Sequence, residues 1–323
     1  MRLRGFYTVG AVASFRDLIA LSVVAYNRAL ELKYPRGHRV LFGNAFAFYP
    51  WMIDRKYEHL IGSTPAILGI HDVRKFRGQS SPELFRMNGR HVDKPLLDAL
   101  LTRWRQHYMD PAPAWSDIAL FRSLNMAYHA SLLPAASDMT FYDVGRLVSL
   151  WVSAFEILVH PGGDGQANRD KVFELLEGVH WHLRGCIDKC FETGGKNKIK
   201  RTLGSWLYQA LSDRRNDFIH GNPVSQADLR LPASGRNLFE YAAPLYRLAL
   251  TSFLPLDFTR RPPPVRDAEA FGAYVAERME FFDPQSSFEE ALLTAREQPR
   301  EPVALAASRR HRASRQIEAE PIR

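Results

Sequence analysis

Between residues 141 and 160 the chain reads FYDVGRLVSLWVSAFEILVH, and Leu147, Leu150, Trp151, Ala154, Phe155 and Leu158 return every three or four positions. That period places them on one face of a helix. The same alternation predicts helices over 15–32, 94–108 and 116–133 (with Ser116 as N-cap), and more than one helix from 171 to about 191. Further helices are expected to end at His220, to cover 237–254, and to run to about residue 282. RVLFGNAFAFYP (39–50) and PAILGIHD (65–72) read instead as strands bounded by turn formers. Residues 74–90 are a polar loop, and DPAPAW (110–115) is a boundary between segments.

The pattern therefore predicts a mainly α protein. Residues 1–112 form a smaller mixed α/β region, 115–256 a helical bundle, 257–295 a Pro-rich linker with an accessory helix, and 296–323 a basic disordered tail. The apolar run LIALSVVAY is short and flanked by Arg16, Asp17, Asn27 and Arg28, which reads as a core helix and neither a membrane span nor a signal segment. Two cysteines are too few for a disulfide framework, so a reducing, cytoplasmic setting is expected.

Composition adds one pointer. A net charge of +8 favours polyanionic partners, nucleic acid above all. Arginines far outnumber lysines, which genomic bias alone can produce, and the stretch 296–323 carries seven arginines against four glutamates.

The stretch with candidate chemistry is LSDRRNDFIHGNP, residues 211–223. Gly221 suits the left-handed position after a helix and Pro223 cannot continue one, so His220 is expected in the last turn. On a helical wheel Leu207, Leu211, Phe218 and Ile219 make an apolar stripe. Arg214 and Arg215 fall within or beside it, and Asn216 and His220 lie on the other side. Arg215 and His220, five apart, diverge by roughly 140° at about 100° per residue. One copy of the helix would not converge both on one atom, whereas a symmetric second copy would. Histidine moves protons near neutral pH, and an arginine fork complements charge growing on a phosphate. With the ribose 2′-hydroxyl as nucleophile, RNA cleavage needs no metal. The same two residues near a helix C-terminus are also favourable for dipole reasons alone, and spacing does not separate the readings.

RRNDFIHG resembles the Arg-x(4–6)-His signature of HEPN domains, with polar Asn216 directly after Arg215. The preceding helix resembles that of the Apea-like HEPN group, where an aromatic, a Glu and an aliphatic pair are typical; here they are Phe155, Glu156, Ile157 and Leu158. The resemblance spans roughly residues 117–254, under half of the chain. It implies a helical bundle that dimerises through its motif helices. Many such proteins are metal-independent endoribonucleases acting as toxins or defence effectors; others are non-catalytic binding modules for nucleic acid or protein. Carried over residue by residue, His220 is the acid/base, Arg215 the phosphate-stabilising residue and Asn216 an orienting residue. Arg214, Asp217 and Glu156 are supporting. The implied partners are RNA and a second copy of the chain, with no cofactor and no membrane.

Other motifs carry less. His182, Cys186 and Cys190 repeat every four residues on one expected helix, but the outer two would lie about 12 Å apart at 1.5 Å per residue, so buried thiols are favoured over a metal site. TGGKNK lacks the residues of a phosphate-binding P-loop. Lys196, Lys198, Lys200 and Arg201 read as a basic loop able to grip RNA phosphates. Glu156, alone on an apolar helix, is placed to bond a motif arginine. His71 and Asp72 end a strand without further ligands, and GGDGQ lacks the acidic alternation of a calcium loop.

Overall fold

The computed structural model describes residues 5–6, 8–35, 46, 51–53, 55, 60–62, 89–131, 140–193, 198–256, 266–272 and 285–296. The protein is mainly α. Its helices are α1 (Val9–Lys33), α2 (Lys94–Met109), α3 (Trp115–Ser131), α4 (Phe141–Leu158), α5 (Arg169–Glu177), α6 (Arg184–Ile187), α7 (Leu203–Ile219), α8 (Ala242–Phe253) and α9 (Gln285–Leu293). Residues 268–272 are also helical. Two antiparallel strand pairs complete it, β1 (Trp51–Ile53) with β2 (Leu60–Gly62) and β3 (Phe191–Thr193) with β4 (Ile199–Arg201). The strands expected at 39–50 and 65–72, including His71 and Asp72, and the tail beyond Arg296 lie outside the described residues.

Local signals explain most helix ends. Thr140 and Asp143 form a reciprocal capping box at the start of α4. Asn168 caps α5 by accepting from the Lys171 amide, and Thr202 caps α7 by accepting from that of Ser205. Helix α3 departs from expectation: it starts at Trp115, and Ser116 lies within its first turn.

α3 lies against α4 along its length, α4 packs on α7, and α5 and α8 close the other sides of α7. The core is continuous. Leu18 and Leu21 of α1 belong to the same buried cluster as Leu124 of α3, Trp151 and Phe155 of α4, Leu207 of α7, Tyr246 of α8 and Phe288 of α9. By length and composition α1 could cross a membrane; in this fold it packs against α2, α3, α8 and α9, with Val9, Val12 and Phe15 near its start exposed. Ser123 of α3 donates to the Ala154 carbonyl and shares a 2.6 Å hydrogen bond with Tyr246, so the polar atoms at this helix crossing are satisfied.

Two buried carboxylates hold distant segments. Asp93 and Arg247, both fully buried, form an ion pair at 2.6 Å, and Asp93 also caps α2 through the Leu96 amide. Glu289 of α9 accepts hydrogen bonds from the backbone N–H groups of His182 and Leu183. This second contact marks the break within the helical stretch expected from 171 to about 191. α5 ends at Gly178, Glu289 captures the chain at 182–183, and only the one-turn α6 follows before β3. His182, Cys186 and Cys190 therefore do not share a helix face. Cys186 is buried and Cys190 is exposed. Among the described residues no group of three or more His, Cys, Asp or Glu side chains is placed to hold a metal ion.

Candidate functional site

The helix stop at His220 is built as the sequence implies. Gly221 adopts φ +71°, the Asn222 amide donates to the Asp217 carbonyl at 2.9 Å, and the Gly221 amide donates to that of Phe218. These paired bonds define a Schellman ending, in which a residue without a Cβ takes the left-handed position. His220 is the C-cap residue, one position past the last helical residue, and its side chain is exposed. The Asn222 side chain also donates to the Asp217 carboxylate.

The apolar stripe of α7 is narrower than expected. Leu207, Tyr208 and Leu211 are fully buried. Phe218 is half-buried over Gly145 of α4, with its ring against Phe141 at 5.8 Å between centroids. Ile219 instead stands 56% exposed, next to His220. At the end of α7, Phe218 packs on α4.

Arg215 turns away from His220. Its guanidinium lies 3.7 Å from the Glu156 carboxylate of α4, and it donates to the Asn216 side chain at 3.2 Å. A helical side chain leans toward the helix N-terminus, so Arg215 reaches back along α7 while His220 caps the far end. Burial raises the Glu156 pKa above the usual carboxylate range, and the Arg215 charge only partly offsets this. Arg214 pairs with Asp217 one turn on, at 2.9 Å. Within one chain the motif residues thus form two clusters, Arg215–Glu156–Asn216 and Arg214–Asp217–Asn222; among the described residues no side-chain hydrogen bond or ion pair joins His220 to either.

Two residues that the sequence reading passed over border the first cluster. Tyr208, seven positions before Arg215, is fully buried and carries a hydroxyl without a hydrogen-bond partner among the described residues. Arg169 of α5 lies 3.9 Å from Asp213 of α7, whose carboxyl is held above its ordinary pKa by burial. The seven-residue spacing to Arg215 was the signal that would have found Tyr208.

The basic segment expected as a loop is the β3–β4 hairpin, and its side chains are unequal. Lys198 pairs with Glu192 at 2.7 Å on the surface, and Lys200 is exposed. Arg201 pairs with Glu177 at 2.9 Å and lies 4.2 Å over the Phe173 ring, fastening the hairpin to α5. Lys196 lies outside the described residues.

Comparison with known proteins returns no match, whether to a family model, a curated protein or a solved structure.

Proposed function

We propose that the chain is a metal-independent endoribonuclease of the HEPN type, acting as a homodimer whose two α7 helices bring His220 and Arg215 together across a two-fold axis. The observation that carries this reading is the exposure of His220 at the C-cap of α7, where a structural histidine would instead be packed against its own chain. Exposed Ile219 beside His220 suits a site that a second copy covers. The 2′-hydroxyl of the ribose attacks the adjacent phosphorus as His220 takes its proton; the bond from phosphorus to the 5′ oxygen breaks, the leaving oxygen receives a proton from the imidazole, and a 2′,3′-cyclic phosphate remains. Arg215 meets the charge growing on the phosphate oxygens. Asn216 holds the Arg215 side chain. The exposed Lys198 and Lys200 extend a basic surface for the RNA backbone.

A second reading, a non-catalytic module that binds nucleic acid or protein, is favoured by one observation: Arg215 is already engaged by Glu156. Incubating the purified chain with total RNA in EDTA, beside His220→Ala and Arg215→Ala variants, separates the two. Cleavage that both variants lose is the expected result. Intact RNA with a folded, dimeric wild type moves the assignment to the binding module.

A further inference from the structure

The charges of Arg215 and Glu156 act on a buried hydroxyl that has no hydrogen-bond partner among the described residues. Tyr208 and Arg215 are seven residues apart, two helical turns, so their side chains leave α7 on the same face. The Tyr208 ring is held between Phe155 at 5.2 Å and Phe173 at 5.9 Å, and Phe155 is the immediate neighbour of Glu156. Among the described residues neither the Tyr208 Oη nor the buried Nε of Arg215 has a hydrogen-bond partner. Buried donors are nearly always satisfied, because leaving one unpaired forfeits its hydration without return. The charges that act on this hydroxyl are Glu156 from α4, Arg215 on its own helix and Arg169 from α5.

We propose that Tyr208 is a positioning residue, the alternative donor that takes over the Glu156 carboxylate when an RNA phosphodiester draws Arg215 away. The inference rests on the reading of Arg215 as the phosphate-binding residue. In the free protein Glu156 holds Arg215 at 3.7 Å, a loose contact that lacks the geometry of a tight fork. Moving Arg215 onto a phosphate leaves a half-buried carboxylate without its counter-charge, which is costly. The Tyr208 hydroxyl is already desolvated and uncommitted, so it donates to Glu156 without giving up another bond. The buried hydroxyl is unsatisfied in the free state because its partner becomes available only in the bound one.

The test measures binding of a 2′-O-methyl RNA oligonucleotide, which lacks the attacking hydroxyl, to the full chain by fluorescence anisotropy, with thermal melting of each variant alongside. Tyr208→Phe is expected to weaken binding by about tenfold, the worth of a hydrogen bond to a charged group. Its melting temperature is expected to equal or exceed that of the wild type, since no bond is lost in the free protein. Glu156→Gln is expected to tighten binding by releasing Arg215, and Tyr208→Phe in the E156Q background to cost little further. Unchanged binding by Tyr208→Phe, a lowered melting temperature, or an equal penalty in the E156Q background overturns the proposal. Arg215→Ala is the control for the underlying reading. If it binds as the wild type does, the phosphate role of Arg215 fails, and Tyr208's role falls with it. If it loses binding while the Tyr208 arm fails, only the positioning role is overturned.

Discussion

A Cβ added to Gly145 of α4 would lie 2.6 Å from Cδ1 of Phe218 on α7. The two helices come together at the motif end because position 145 has no side chain, and the Phe218 ring fills the dent. That packing fixes where the last turn of α7, and with it His220, stands.

Gly145→Ala is therefore expected to destabilise the fold by about 1–3 kcal/mol, the usual range for overpacking a close contact. The measurement is urea denaturation. Phe218→Ala removes the clash, so the double variant is expected to lose less than the sum of the single ones. Full additivity would mean that Gly145 and Phe218 do not meet.

Asp93 and Arg247 form a fully buried ion pair between the start of α2 and α8. Removing one member strands the other's charge in the core, so Asp93→Ala or Arg247→Leu is expected to cost about 3–5 kcal/mol. Replacing both with apolar residues is expected to recover part of that loss. Denaturation midpoints of the three variants decide it, and a double variant worse than either single would contradict the pairing.

Glu156 gives a signed pH dependence. Burial raises its pKa above the ordinary 4.5, so between the unfolded and folded values, and only there, the folded chain holds a proton that the unfolded chain releases. Stability from this group is full below the unfolded value and is lost as pH rises toward the raised folded one. Glu156→Gln removes the effect, so its advantage over the wild type is expected to grow with pH from about 4.5 upward. A constant difference across a pH series of unfolding midpoints would count against it.

The two thiols are expected to differ sharply. Burial, with the Glu289 carboxylate nearby, pushes the Cys186 thiol up to about 12, whereas Cys190 is exposed. The thiolate is the reactive form. A colorimetric thiol reagent at neutral pH should titrate one group per native chain quickly and the second only on unfolding. Two fast thiols would show that the contact between α6 and α9 opens readily.

Glu289→Ala leaves the His182 and Leu183 amides without their acceptor and is expected to cost about 1–3 kcal/mol. Limited proteolysis is the second readout, with faster cutting near residue 182 as the expected outcome. Unchanged protection there would show that α9 is not what holds this segment.

What the sequence determined alone is what neighbouring residues decide among themselves. Thr140 and Asp143 start α4, Gly221 stops α7, and the three-to-four spacing of Leu147, Trp151, Phe155 and Leu158 makes a buried face. Caps and periodicity act over a few residues, through backbone hydrogen bonds and the helical repeat, so they can be read locally. Tertiary structure decided the rest. Glu289 holds the non-helical chain after Gly178 from a position 107 residues beyond His182. Glu156 sets the direction of Arg215, and the gap left by Gly145 takes Phe218 while Ile219 stays in solvent. An arginine on a wheel has a face but no partner. The carboxylate that turns it comes from another helix, and only packing brings the two together.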